Sequence, residues 1–335
     1  MRVDAALSIT AASVWLPPDR YHLDQALAAG VLSERHARHA AGPVAAYAGA
    51  TRVDEMAVHA AQDTLKMGDA TPDDVALFHY AWAYEQGEHL WSPAPQIARS
   101  IGITGCDSVG FHQMSNGGAT ALYTAASTML LEPRIEQALV STADNFSTLP
   151  YDRWANSMVT ILSDGATAAL LTRGPGPLPV IAIASTGDPL IGGGLVSEGT
   201  VWQPVRHGRV LSREEWRTAA RSATALRETV SSSLTMALDD AGLTPGDPRI
   251  RAVLTPRMSA ELATRALSDA LPDPLYQRHI LLGQDTGHIG AGDMLANLAW
   301  LLERPTGPEP GGYTVLLSFG FGGSATCLVV ANGAG

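Results

Sequence analysis

The residues best suited to chemistry begin with a serine between a strand and a helix. Residues 107–114 read as a strand and a turn, Ser115 follows, and Gly117 and Gly118 open an apolar helical stretch. The first free backbone N–H groups of such a helix favour negative charge on the hydroxyl oxygen. A serine at this kind of junction can also be a simple N-cap. Ser115 is a candidate nucleophile, and the two glycines predict a sharp turn that brings the backbone close to a substrate.

A histidine and an aspartate far along the chain could activate that serine. His288 lies between Gly287 and Gly290, which favours a tight loop for the imidazole, and Asp293 precedes an apolar helical run. Asp293 can cap that helix or accept a hydrogen bond from the imidazole. A nucleophile, a base and an orienting carboxylate are the parts of covalent acyl transfer. The sequence predicts the catalytic set Ser115, His288 and Asp293, with a structural histidine as the alternative.

A glycine-rich turn near the C-terminus could complete the site. Residues 314–330 read as a strand, a turn with three glycines around Phe321, and a second strand. Such a turn can present a backbone N–H to an anionic oxygen, although an ordinary hairpin has the same sequence features. The N–H groups of Ser115 and Phe321 are the candidate oxyanion hole.

Together these segments resemble the ketosynthase III (beta-ketoacyl carrier-protein synthase III) family of the thiolase superfamily, over nearly the whole chain. Gln96-Ile97 and Gly102 lie where the family has a short helix before the nucleophile strand, residues 161–171 resemble its strand pair, and residues 319–323 match its C-terminal glycine loop. The resemblance implies a five-layer αβαβα build. It also implies a homodimer in which edge strands of the nucleophile-bearing halves pair across a two-fold axis.

Three positions depart from that family and change the expected chemistry. Its ordinary members have a Cys nucleophile, a His-Gln-Ala-Asn motif and an Asn in a glycine-flanked loop, where this chain has Ser115, residues 256–259 and His288. In the family, the His and Asn hold a thioester oxygen while a malonyl group loses carbon dioxide. Arg257 with His288 does not rebuild that pair. Serine needs a general base more than cysteine does, so we interpret the changes at Ser115 and His288 as paired.

The loop of His288 indicates the kind of reaction. Residues 287–293 are similar to a loop in a divergent branch of the family, found in antibiotic pathways, whose members resemble acyl transferases or starter-unit enzymes. We expect an acyltransferase of specialised (polyketide or antibiotic) metabolism without a permanently bound cofactor. It would move an acyl group from a phosphopantetheine thioester, on an acyl carrier protein or coenzyme A, through Ser115 to a hydroxyl, amine or carrier thiol. The alternatives are a starter-unit ketosynthase that forms carbon–carbon bonds and a non-catalytic partner subunit.

Side chains near these motifs are candidates for lining the substrate site. His112 lies on the strand before Ser115 and could line the site or belong to the core, and Leu90 and Arg257 are further candidates. Aromatic residues ahead of that strand would contribute to an acyl pocket or simply pack together. They are Trp82, Tyr84, His89 and Trp91.

Composition limits the class of protein. The chain has 335 residues, 46% of them hydrophobic, with no apolar run of membrane-spanning length and no evident export signal, which indicates a soluble, cytoplasmic protein. Its two cysteines, Cys106 and Cys327, predict neither a disulfide framework nor a zinc or other metal site. A net charge of −11 argues against a nucleic-acid surface, and an acidic carrier protein would need a local basic patch. Candidates for that patch, or for a solvated face, are Arg206, Arg209, Arg213 and Arg217.

Two similar halves organise the chain. Residues 1–172 and 178–332 each alternate strands with amphipathic helices, an α/β pattern, and a proline- and glycine-rich segment from Thr172 joins them. Apolar spacing predicts helices over residues 219–241 and, at a comparable place in the first half, 53–67. The first half would carry the nucleophile, and the second half the histidine, the aspartate and the glycine turn.

Overall fold

A computed structural model describes most of the chain. It covers residues 1–32, 45–84, 90–147, 161–191, 213–304 and 311–333, together with residues 34, 37, 86, 87, 153 and 154. His89 and the side chains of the four arginines of the expected basic patch lie outside what is described.

The described residues form strands and helices in alternation, as the sequence predicts for an α/β protein. The strands are β1 (Leu7–Trp15), β2 (Asp19–His22), β3 (Ala45–Ala48), β4 (Leu77–Trp82), β5 (Asp107–His112), β6 (Gln137–Asp144), β7 (Gly165–Arg173), β8 (Leu178–Gly187), β9 (Ile250–Leu254), β10 (His279–Ile280), β11 (Tyr313–Gly320) and β12 (Ser324–Ala331). The helices are α1 (Leu23–Ala28), α2 (Val53–Met67), α3 (Pro93–Ile101), α4 (Gly117–Leu131), α5 (Arg213–Ala241), α6 (Ala260–Leu267), α7 (Asp273–Tyr276) and α8 (Asp293–Leu302). The predicted helix over residues 53–67 is confirmed, and the predicted helix over 219–241 begins earlier, at Arg213.

One ten-stranded sheet repeats the same strand order in two halves. Its order is β10-β9-β11-β12-β8-β1-β7-β6-β4-β5, while β2 and β3 pair separately. Read outward from the middle, β1-β7-β6-β4-β5 and β8-β12-β11-β9-β10 have the same sequence order and the same pattern of antiparallel and parallel neighbours. The central strands β1 and β8 meet at only two residue pairs. The halves are therefore related by pseudo-symmetry.

Helices cover the sheet and also fill the space between its halves. Helices α2 and α3 pack on the outer face of the first half, and α5 packs on β8 and β12 of the second. Helices α4 and α8 contact each other and strands of both halves, with Leu122, Met294 and Leu298 buried in one core cluster. Burying a side chain of this size stabilises the fold by about 1.5–3 kcal/mol. The two halves of the sheet, the helices outside each half, and α4 and α8 between them make five layers in the order α–β–α–β–α.

None of the helices in the described part of the chain is both long and apolar enough to cross a bilayer.

Candidate active site

Ser115 and His288 come from equivalent connections of the two halves. Ser115 lies between β5 and α4, and His288 lies between β10 and α8. A Cβ on Gly117 would lie 3.2 Å from the Cβ of Ala291, and one on Gly118 would lie 2.5 Å from the Ala291 carbonyl oxygen. The two glycines, expected to approach a substrate, thus allow close contact with the loop that carries His288. The N-termini of both helices meet at the site, where their dipoles favour negative charge.

The sharp turn before the helix is made by Met114, not by the glycines. Met114 has φ +50°, a left-handed conformation that costs a non-glycine residue about 1–3 kcal/mol, whereas Gly117 is ordinarily helical at φ −57°. The side-chain amide of Asn116 lies among the hydroxyls of Thr120 (3.2 Å), Ser324 (2.8 Å) and Thr326 (3.1 Å). These contacts anchor the strained turn to α4 and β12.

The three residues that the sequence singles out form one hydrogen-bonded chain. Ser115 Oγ lies 2.8 Å from His288 Nε2, and His288 Nδ1 lies 2.6 Å from Asp293 Oδ2. His288 and Asp293 are buried, with 7% and 1% of their surface exposed. The carboxylate orients the imidazole, which leaves Nε2 to accept the serine proton. This is the geometry of a nucleophile activated by a general base.

Further hydrogen bonds hold the aspartate and the histidine in place. Asp293 accepts the backbone N–H of Ile289 at 3.0 Å and that of Arg257 at 2.6 Å. It is the first residue of α8, where the helix dipole favours its negative charge, but its side chain makes no capping hydrogen bond to that helix. The His288 backbone bonds at 2.8 Å to the carbonyl of Ile161 and to the N–H of Ser163. The imidazole is therefore fixed from both sides.

The charges around His288 favour its protonated form. Burial lowers the pKa of His288, but the carboxylates of Asp293 and Asp144 outweigh this effect, so the pKa is raised above 6.5. Asp293 acts by charge and by hydrogen bond, while Asp144 acts by charge alone. An imidazole of this kind readily takes up the proton of a hydroxyl that attacks a carbonyl carbon.

The glycine turn packs against the backbone of the nucleophile. A Cβ on Gly320 would lie 3.0 Å from Ser115 N and 3.1 Å from Asn116 N, and one on Gly322 would lie 2.5 Å from the Gln113 carbonyl oxygen. Only residues without side chains fit so closely. Phe321, between these glycines, begins the turn from β11 to β12 next to Ser115. The turn is thus adjacent to the serine N–H, as an oxyanion hole made by Ser115 and Phe321 requires.

In the described part of the chain, the side chains of the other candidate residues make no hydrogen bond to Ser115, His288 or Asp293. His112 is exposed at the end of β5 and stacks on Trp82 with ring centroids 5.7 Å apart, so it is not a core residue. Leu90 is fully exposed. The Arg257 guanidinium is buried and donates to Thr286 Oγ1 (2.7 Å) and Asn297 Oδ1 (3.2 Å). The contribution of Arg257 to the site is its backbone N–H, which no sequence pattern indicates.

Solved structures with the same fold span the whole chain. A structure described as the acyltransferase ChlB3 is 27% identical, with 98% of each chain covered and a TM-score of 0.83. The 3-oxoacyl-(acyl carrier protein) synthase III FabH of Pseudomonas aeruginosa PAO1 is 19% identical, with 98% of this chain and 99% of that chain covered and a TM-score of 0.76. AbyA1, described as a tetronic acid condensing enzyme, is 16% identical, with 97% of this chain and 99% of that chain covered and a TM-score of 0.76. The protein has the thiolase fold.

A comparison of the sequence with protein families gives a match. Residues 111–187, which include Ser115, match the family 3-oxoacyl-acyl-carrier-protein (ACP) synthase III. No curated protein matches the chain in sequence. The chain is therefore similar to ketosynthase III proteins of the thiolase superfamily in part of its sequence and in its fold, as the sequence predicts.

Proposed function

We propose that this protein is an acyltransferase that works through a Ser115 acyl-enzyme. The acyl group comes from a phosphopantetheine thioester, on an acyl carrier protein or coenzyme A, and goes to a hydroxyl, amine or carrier thiol in specialised metabolism. The observation that carries the proposal is the chain of contacts from Ser115 Oγ through His288 to Asp293, at 2.8 and 2.6 Å. The likeness to a structure described as an acyltransferase supports it.

The surroundings of Arg257 also favour acyl transfer over condensation. In ketosynthases of this family, a His and an Asn together hold the thioester oxygen during loss of carbon dioxide. Here the family's histidine motif is replaced by residues 256–259, and the Arg257 guanidinium is directed to Thr286 and Asn297. The asparagine is replaced by His288, whose two nitrogens contact Ser115 and Asp293. Both ring nitrogens therefore already have partners of the kind that base catalysis needs.

Cysteine chemistry has little support elsewhere in the chain. Cys106 and Cys327 are its two cysteines. Cys327 is fully buried on β12, and this burial raises the pKa of its thiol, which disfavours the reactive thiolate. Cys106 lies just before β5 and contacts Ser108 Oγ at 3.6 Å, outside the Ser115–His288 chain. Ser115 differs from both cysteines in having a histidine at hydrogen-bond distance.

In the first half-reaction, Ser115 Oγ attacks the thioester carbonyl carbon while its proton passes to His288 Nε2. The N–H groups of Ser115 and Phe321 hold the negative oxygen of the tetrahedral intermediate. The intermediate collapses, the carbon–sulfur bond breaks, and the leaving thiolate takes the proton from His288. Asp293 stabilises the imidazolium in between.

In the second half-reaction, the acceptor enters where the thiol has left. His288 removes the proton from its hydroxyl, amine or thiol as that group attacks the ester carbonyl. The bond to Ser115 Oγ breaks, and His288 returns the proton to the serine. The products are the acylated acceptor and the free enzyme.

We expect transfer without decarboxylation, and this separates the proposal from the condensing alternative. The enzyme is incubated with an acyl donor, a labelled malonyl donor and a panel of nucleophilic acceptors. Acylated acceptor should form while no carbon dioxide is released, because no His–Asn pair holds a thioester oxygen. Carbon dioxide release coupled to consumption of the acyl donor, and absent in Ser115→Ala, would identify a starter-unit ketosynthase instead.

We further propose that the protein acts in the cytoplasm as a homodimer paired through β5. This strand is the last of the sheet order and is bonded to β4, and each of its residues is exposed or half-buried. A strand edge of this kind offers N–H and C=O groups to a second copy. Light scattering at micromolar concentration should give about twice the 35.1 kDa of one chain. A mass of a single chain would contradict the pairing.

A further inference from the structure

A second carboxylate lies buried behind the loop of His288. Asp144, the last residue of β6, has no exposed surface. Its Oδ1 accepts the backbone N–H groups of Ala83 and Tyr84, each at 2.9 Å, and its Oδ2 accepts that of Ala291 at 2.8 Å. These bonds join the end of β4, the end of β6 and the turn that follows His288.

The loop of His288 is shaped around this carboxylate. Gly290 has φ +61°, and a Cβ built on it would lie 2.0 Å from Asp144 Oδ2. No other residue type fits there. The glycine between His288 and Asp293 is therefore required by Asp144 as well as by the turn itself.

Pseudo-symmetry gives Asp144 a counterpart at the nucleophile. Asp144 ends β6 opposite Gly165, the first residue of β7, and Gly320 ends β11 opposite Ser324, the first residue of β12. Gly320 lies against the turn of Ser115, and Asp144 lies against the turn of His288. Each half therefore supports the catalytic turn of the other half from the end of the same strand. Gly320 supports its turn with backbone alone, whereas Asp144 supports its turn with a carboxyl side chain.

Two carboxylates act on His288. Asp293 on α8 bonds to Nδ1 and Asp144 on β6 acts by charge, while the buried Arg257 guanidinium interacts by charge with Asp293. Burial raises the pKa of Asp144 to about 7, which outweighs the opposing effects of its three N–H bonds and of His288. Tyr80, which also feels the charge of Asp144, donates its hydroxyl to Gln86 Oε1 at 2.6 Å. The charge of Asp144 therefore acts on the imidazole mainly above about pH 7, where this carboxyl is ionised.

We propose that Asp144 is a positioning residue of the acyl-transfer site: it fixes the turn after His288 through the Ala291 N–H and places a second negative charge behind the imidazole. The inference rests on the proposed function of Ser115 and His288. It adds a requirement that the triad alone does not contain, because Asp144 touches neither the serine nor the imidazole.

The test compares Asp144→Asn with the matched variant Asp164→Asn. Asp164 is also fully buried and also accepts backbone N–H groups, from Phe146 at 2.7 Å and Gly49 at 3.1 Å. Its charge is paired with Arg153 at 3.1 Å, so it exerts no comparable field on His288. Both variants remove one buried carboxylate and keep the side-chain shape. The pKa of His288 is measured by NMR in protein with labelled histidines, with His288→Ala to assign the signal.

The pKa of His288 should fall in Asp144→Asn and stay at the wild-type value in Asp164→Asn. The acid limb of single-turnover acyl transfer should move to lower pH by the same amount, and the rate on its plateau should fall because the amide NH₂ opposes the Ala291 N–H. An unchanged His288 pKa in Asp144→Asn, or an equal fall in both variants, would overturn the proposal. If Asp144→Asn does not fold, Asp144→Ser serves the same comparison. The pKa of His288 can be measured even if the wild type transfers no acyl group. That result would contradict the proposed function but not the effect of Asp144 on His288.

Discussion

Ser115→Ala is expected to lower the rate of acyl transfer by at least about 10⁴-fold, because it removes the atom that carries the acyl group. Ser115 Oγ has His288 Nε2 as its hydrogen-bond partner at 2.8 Å, and the side chain is half-buried, so alanine leaves the fold intact. Steady-state transfer from an acyl thioester to a nucleophilic acceptor measures the loss. Thermal unfolding of both proteins checks that stability is unchanged.

Ser115→Cys is the matched control for this prediction. It restores the nucleophile of ordinary ketosynthase III proteins and retains a proton for His288 to accept. We expect it to become acylated, since a thiol is the more reactive nucleophile at neutral pH. Transfer by Ser115→Ala at a rate near that of the wild type would show that the serine is not the nucleophile.

Asp293→Asn is expected to reduce single-turnover acylation by about 10²–10⁴-fold. The amide has nearly the same shape as the carboxylate, but it cannot hold His288 Nδ1–H and the N–H groups of Ile289 and Arg257 at once. The imidazole then loses both its orientation and the charge that stabilises its protonated form. Acylation of wild type, Asp293→Asn and His288→Ala in a rapid-quench experiment gives the size of the effect.

The pH dependence of the same variants provides a second readout. Because the pKa of His288 is raised, its basic form predominates only at a pH above 6.5, and acylation should rise with pH through that raised value. Removing the charge of Asp293 lowers this pKa, so the acid limb should move to lower pH while the plateau rate falls. If His288 merely donated a hydrogen bond to a thioester oxygen, the rate would change far less. Equal rates in wild type and Asp293→Asn would leave Asp293 without a role in acylation.

The sequence was informative wherever a local pattern determined the structure. Glycines around His288, an acidic residue at the start of an apolar helix and a serine between a strand and a helix predicted three residues that meet in space. Ser115 and His288 are 173 positions apart. Their contact follows from the equivalent places that the two connections occupy in the pseudo-symmetric halves. The sequence pattern predicted two similar halves, and the sheet order shows that these connections are equivalent.

Other features depend on tertiary contacts that no local pattern records. Met114 has no sequence feature that predicts a left-handed backbone, since most residues of that kind are glycine or asparagine. Gly117 and Gly118 of α4 allow close contact with the loop of His288, which is far away in the sequence. Asp144 is a single carboxylate at the end of a strand, and its sequence position does not predict a role. Its contact with the Ala291 N–H is visible only in the structure. The hydrogen bond from the Arg257 backbone N–H to Asp293 also cannot be predicted from residue types.

The most direct test of the central claim is intact-protein mass spectrometry of the wild type after brief exposure to an acyl thioester. We predict the addition of one acyl group, mapped by peptide analysis to Ser115 as an oxygen ester and discharged when an acceptor is added. The adduct should be absent in Ser115→Ala. Transfer that proceeds without any adduct, or an adduct on another residue such as Cys106, would contradict the account.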